Sequence, residues 1–248
     1  MRAQDPIQIF LFITHRKSYE NIQGLISHIS HLISFLMKIS STGICASLVV
    51  LFFTVGFIGF TSPEYSNQFK QLVPFHLLLM FGLMLISHED KNKAFWTFLL
   101  VAFFAGFLIE FIGVTTGLIF GNYRYGATLG PKLADIPILI GVNWILVIYS
   151  TGIFLKIFGI KSHTTRALIG AFIITVLDFF IEPVAIKYDY WSWAGREVPF
   201  HNYIGWFLFS YALLRLFFHL KFRKNNFAAI VLFIVQFVFF FVLNMKVL

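Results

Sequence analysis

The chain has 248 residues, of which 58% are hydrophobic, 19% aromatic and 12% charged. A soluble domain carries about a quarter charged residues, so too little polar surface is present here to coat a water-exposed globule. The formal charge of +8 does not point to nucleic acid, because the basic residues sit in short gaps between apolar runs and form no face. One cysteine, Cys45, excludes an intrachain disulfide framework and any multi-cysteine metal site.

Residues 1–41 read as an N-terminal interfacial segment and 42–248 as the membrane domain. The first apolar stretch lies beside Asp5 and Pro6 and is broken by Thr14-His15-Arg16-Lys17, unlike a cleavable signal peptide. Residues 22–39 carry His28, His31 and Lys38 and read as an amphipathic helix lying in the interface. Seven stretches then have the length to cross about 30 Å of hydrocarbon: 42–60, 71–87, 95–119, 136–157, 167–187, 202–220 and 227–244. The expected fold is therefore an all-α, polytopic membrane helix bundle. Its last stretch is Phe-rich, as suits lipid-facing bulk.

Arg2, Arg16, Lys17 and Lys38, then Lys91 and Lys93, Lys156, Lys161 and Arg166, and Lys221, Arg223 and Lys224 fall on one side. The other side has Lys70, Arg124, Lys132, Lys187, Arg196 and Lys246. The positive-inside bias places the N-terminus in the cytoplasm and the C-terminus outside, in a bacterial inner membrane.

Three acids lie where a carboxylate costs about 2.5–3.5 kcal/mol on insertion scales: Glu110 in the third stretch, and Asp178 and Glu182 in the fifth. The latter two are four apart, on one helical face, and Pro183 next to them removes a backbone donor and frees the carbonyl of Phe179. On helical rise, Asp178 and Glu182 lie roughly 8–13 Å beneath the outer boundary. Glu110 and Asn143 fall at a similar depth. Gly106, Gly113 and Gly117 share nearly one face with Glu110, a pattern that admits a close helix or a flat ligand.

Two outer loops flank this layer. One reads Phe120-Gly121-Asn122-Tyr123-Arg124-Tyr125-Gly126, and the other runs from Tyr188-Asp189-Tyr190-Trp191-Ser192-Trp193 to Asn202 and Trp206. Such residues form an interfacial belt or an aromatic cage for a developing cation. The acids, likewise, either lock the bundle by pairing with Arg124 or neighbouring backbone, or act as proton donor and acceptor.

Several chemistries lack their residues. The eight histidines include no adjacent pair and one i,i+3 pair, which disfavours a di-iron oxygenase. The last stretch has no lysine before Lys246 for a retinal Schiff base. No Asp-rich magnesium motif, Gly-rich nucleotide loop or nucleophile elbow is visible. Acid–base chemistry on an apolar substrate, without a cofactor or metal, remains.

The segments Glu110 to Trp144 and Asp178 to Trp206 resemble the carotenoid 1,2-hydratase family, which includes bisanhydrobacterioruberin hydratases and γ-carotene 1′-hydratases. The signals are Glu-x-x-Gly from Glu110, Phe-Gly-x-Tyr-x-Tyr from Phe120, Asp-x-x-x-x-Pro from Asp178, Trp191-x-Trp193, and Val-Pro-x-x-Asn-x-x-Gly-Trp from Val198 to Trp206. One departure, Gly195-Arg196-Glu197 where a tyrosine and a second glycine are expected, bears on substrate preference. The resemblance implies hydration of the C1′=C2′ double bond of a carotenoid ψ end. In that scheme Asp178 and Glu182 divide acid and base roles in either order, and Glu110 with Asn143 positions water. Tyr123, Tyr125, Trp191, Trp193, Asn202 and Trp206 line the end-group site. The carotenoid comes from the bilayer, and other pathway enzymes are candidate partners. The alternatives are an end-group cyclase, a proton-coupled transporter and a pigment-binding protein without turnover.

Overall fold

The structure, a computed structural model, describes Gln23, Ser27, residues 41–195 and residues 197–247. The interfacial helix expected over 22–39, with His28, His31 and Lys38, lies outside the described residues apart from Gln23 and Ser27. The chain divides into two units, Met1–Thr42 and Gly43–Leu248, and the bundle that holds the site is the second.

The membrane-bundle expectation holds: α1 (Ser41–Thr61), α2 (Ser66–Ser87), α3 (Lys93–Thr116), α4 (Ile140–Phe154, continued by a 3-10 turn to Phe158), α5 (His163–Lys187) and α7 (Phe227–Val247) are long and apolar enough to span a bilayer. The sixth predicted stretch forms α6 (Phe200–His219). Its 20 residues have the length to cross, about 30 Å of rise. It is less apolar than the other six because His201, Asn202, Ser210, Arg215 and His219 fall along it.

Helix ends have local causes. Asn92 and Ser162 cap α3 and α5 by accepting from the amides of Phe95 (3.0 Å) and Thr165 (3.2 Å), and Asn226 does the same for α7 through Ala229 (3.2 Å). The third predicted stretch overran its helix. Gly117 takes a left-handed conformation (φ 67°) and closes α3 by donating to the Gly113 carbonyl (2.9 Å). It is therefore a C-cap and not part of the packing face expected with Gly106 and Gly113. The fourth stretch began too early, since Ile136–Pro137 forms a strand (β3) paired with Lys132–Leu133 (β2) before α4 starts. Pro183 lies within α5, which stays helical through it.

Helix α4 is the hub. Its apolar window is 78% buried, against 22–50% for the other five spanning helices, and it packs on α2, α3, α5, α6 and α7. Among α2 to α7, the most extensive pairing is α5 with α6, which brings the acids of one helix against the first turn of the other.

The two ends of the bundle differ. At the end away from the acids, short turns are tied together by polar contacts. The Nε2 of His88 lies 2.8 Å from the Asp90 carbonyl, which can only accept, so the ring carries its proton there and Nδ1 accepts from the Tyr149 hydroxyl at 2.7 Å. That hydroxyl in turn accepts from Asn226 (3.2 Å), whose amide also reaches the Met84 carbonyl (3.2 Å). Arg223 pairs with Glu89, and its amide donates to Asp90 (3.0 Å). The ring of His88 stacks on Phe95 at 4.0 Å.

Burial holds the His88 imidazole below its ordinary value of 6.5. A depressed folded-state value means that the unfolded chain binds the proton first, so stability is full above about pH 6.5 and declines below it. Thermal unfolding of the purified protein in detergent should therefore shift to lower temperature as the pH falls from about 7 to 5, and H88Q should flatten that dependence. An unchanged slope in the variant would remove His88 from the account.

Candidate active site

The two aromatic loops meet as a β-ribbon. Strand β1 (Tyr123–Tyr125) pairs antiparallel with β4 (Trp191–Trp193), with Tyr123 opposite Trp193, Arg124 opposite Ser192, and Tyr125 opposite Trp191. Alternate residues of a strand share a face. Both tyrosines and both tryptophans therefore turn to the same side, and Arg124 and Ser192 to the other, where the guanidinium donates to the Ser192 hydroxyl (3.3 Å). The ribbon is pinned beyond its pairing. Ala194 donates to Asn122 (2.9 Å), Gly126 to the Tyr190 carbonyl (2.9 Å), and the Thr128 hydroxyl to the Tyr188 carbonyl (2.7 Å).

The inward face of the ribbon delivers hydrogen bonds to two acids. Glu110 on α3 accepts at Oε2 from Tyr123 (2.6 Å) and Tyr125 (2.7 Å), and at Oε1 from the indole of Trp144 on α4 (3.0 Å). Glu182 on α5 accepts at Oε2 from the indoles of Trp191 (3.0 Å) and Trp193 (2.8 Å), and at Oε1 from Asn202 on α6 (3.2 Å). Asn202 also donates to Oδ2 of Asp178 (2.9 Å), whose Oδ1 has no partner among the described residues. Glu110, Asp178, Glu182 and Asn202 are all buried. No lysine or arginine pairs with any of the three acids among the described residues. The alternative in which Arg124 locks them therefore fails, since that side chain is exposed on the opposite ribbon face. Burial, then the neighbouring Glu110, push the Tyr123 and Tyr125 phenols well above their ordinary range, so both remain hydroxyl donors.

Glu110 and Glu182 face a common cavity of about 20 Å³, walled also by Phe120, Tyr123, Tyr125, Ile140, Asn143, Trp191, Trp193, Asn202 and Trp206. A volume of about 10–15 Å³ on this measure holds one water molecule. Asp178 does not line it and sits behind Glu182, one helical turn along α5. Asn143 does line it, and its side chain has no hydrogen-bond partner among the described residues. A second cavity of about 310 Å³, almost wholly apolar, lies among α1, α2, α4 and α7. Ile140, Asn143, Trp191 and Trp206 belong to both walls, so the polar pocket lies directly beside the apolar one. Among the described residues, no three His, Cys, Asp or Glu side chains converge as a metal site.

All ten candidate residues thus belong to one neighbourhood, with Asp178 reaching it through Asn202. The sequence reading missed Trp144, which donates to Glu110 and stacks on Trp206 at 4.4 Å. A tryptophan four residues into a buried helix, away from any interfacial belt, was the available signal. Gly106 makes room for it: a Cβ there would lie 2.7–2.8 Å from three atoms of the Trp144 side chain. Gly113 plays the same part for Phe120 and for the Tyr123 hydroxyl, which a Cβ would meet at 2.7 and 3.0 Å.

Overpacking of this kind costs about 1–3 kcal/mol. G106A should accordingly lower thermal stability by that order and alter tryptophan fluorescence, because an indole stacked on Trp206 cannot yield without leaving Glu110. Wild-type fluorescence and stability in G106A would show that the indole has room to move.

Residues 71–248 match the family described as carotenoid biosynthesis protein. The chain is 32% identical over 107 residues to bisanhydrobacterioruberin hydratase of Haloarcula japonica, a match covering 40% of this chain and 36% of that relative. No solved structure matches. The family match covers most of the chain, including both acid-bearing helices and the ribbon that serves them: this protein belongs to the carotenoid biosynthesis protein family.

Proposed function

We propose that the protein is a cofactor-independent carotenoid hydratase, adding water across the C1′=C2′ double bond of a ψ end group. The observation that carries this reading is the shared cavity of Glu110 and Glu182. Two carboxyls face a water-sized polar space walled by six aromatic side chains, next to a larger apolar cavity. The similarity to a bisanhydrobacterioruberin hydratase supports the same chemistry.

The hydrogen-bond partners suggest a division of labour. The partners of Glu182 are two indoles and an amide nitrogen, which donate and cannot accept. They favour a carboxylate there. Glu110 is bonded to two hydroxyls, which can reverse direction and accept. It is thus the better seat for a transferable proton. In the proposed reaction the Glu110 carboxyl protonates C2′, and the alkene π pair forms the new C–H bond. The tertiary cation left at C1′ is stabilised by the ring faces of the ribbon and by Glu182. Water held by Asn143 forms the C1′–O bond and loses a proton to Glu182, and water in the shared cavity returns that proton to Glu110. Asp178 acts behind Glu182 as a positioning residue through Asn202.

Expression in cells that accumulate lycopene or γ-carotene should yield a pigment heavier by one water. E110Q and E182Q should each reduce its formation by a factor of about 10² or more, with D178N less affected. An isomer of unchanged mass would identify a cyclase, and full turnover in either glutamine variant would remove that residue from the chemistry.

We further propose that the ribbon faces outward and the N-terminus lies in the cytoplasm, as the basic loops suggest. Cys45 is buried, so added cysteines report cleanly. An impermeant maleimide should label Gly195→Cys in intact cells and Lys161→Cys only after permeabilisation; the reverse pattern would invert the topology.

A further inference from the structure

We propose that the apolar cavity selects a carotenoid bearing a hydroxyl or oxo group part way along its chain, held by His76 and Gln236. This rests on the hydratase reading, because it concerns the part of the substrate beyond the reacting end. The cavity is walled mainly by Phe, Leu, Val and Ile, yet His76 of α2 and Gln236 of α7 belong to its lining. Each lies near the middle of a membrane-spanning helix, where a polar side chain is expensive unless it is paired.

Neither side chain has a hydrogen-bond partner among the described residues, although Gln236 is 93% removed from solvent, with 7% of its surface exposed. The other amides of α7 are satisfied by protein: Asn226 reaches the Met84 carbonyl (3.2 Å) and Asn244 the Phe180 carbonyl (3.2 Å). The contact recorded for His76 is apolar, an edge-on approach to the Phe53 ring at 4.7 Å. An imidazole and a carboxamide each offer a donor and an acceptor, the complement of a hydroxyl and, through their donors, of an oxo group. A hydrocarbon in the same cavity leaves both unpaired, and a site built to bond an oxygen rejects the analogue that lacks it.

The test titrates the purified protein in detergent with lycopene and with hydroxy- and keto-substituted acyclic carotenoids carrying oxygen on the half of the chain nearer the reacting end. Binding is read from the shift of the polyene absorption, and turnover from product mass. The wild type should bind the oxygenated pigments roughly tenfold more tightly than lycopene. Q236L and H76F should lose that preference while still binding lycopene, and H76Q, which keeps a polar group, should retain part of it. Equal binding of both pigment classes by the wild type, or an undiminished preference in Q236L, would overturn the inference. Selective binding without hydration would overturn the proposed reaction and leave this inference standing. Hydration without selectivity would do the opposite, and binding of neither pigment would overturn both.

Discussion

Three carboxyl groups buried among membrane-spanning helices, with no cation bonded to any of them among the described residues, set the terms for everything around them. In a medium of low polarity a carboxyl left without donors is costly. The protein meets this with neutral donors: two phenols and an indole for Glu110, and two indoles and an amide for Glu182. A lysine or arginine would hold the charge more firmly, but it would also fix the carboxyls in one protonation state. Neutral donors satisfy the oxygens and leave the proton free to move, which acid–base chemistry requires.

That requirement explains the β-ribbon. Four ring donors from outside the helices reach two acids on different helices. Two short strands do so because period-two alternation turns Tyr123, Tyr125, Trp191 and Trp193 to one side together. The remaining donors come from the helices next to the acids, Trp144 on α4 and Asn202 on α6. Gly106 and Gly113 then appear as the space these rings occupy. The same tyrosines and tryptophans line the small cavity, so the groups that stabilise the acids also wall the space where the proposed cation would form.

A water-sized polar pocket beside a larger apolar cavity suits, on the proposed reading, a molecule that is apolar for most of its length and reacts at its tip. Asn143, Trp191 and Trp206 stand at the junction, and the exposed faces of Phe52, Val55, Leu72 and Phe75 near the larger cavity belong to helices that meet lipid. A soluble enzyme would have to extract such a substrate into water; on the proposed reading, entry from within the bilayer avoids that step. The opposite end of the bundle, fastened by His88, Tyr149 and Asn226, supplies rigidity at a distance from the chemistry.

The sequence alone determined the membrane class and the number and approximate limits of the helices, because hydrocarbon thickness and helical rise convert residue spacing directly into spans. It also marked all three carboxyls, since an acid in an apolar run needs a reason wherever it packs. Helix ends were less legible where a backbone conformation decided them, as at Gly117. The ribbon was written only faintly, in Tyr-x-Tyr and Trp-x-Trp, because strands whose partners lie 66–70 residues apart leave no local hydrogen-bonding signal. Only tertiary structure decided that Glu110 and Glu182 face one cavity while Asp178 stands behind, that Trp144 completes the first acid, and that Gln236 lines the larger cavity. Those outcomes depend on which faces of separate helices meet, and hydropathy, which is nearly uniform around a membrane helix, does not encode that choice.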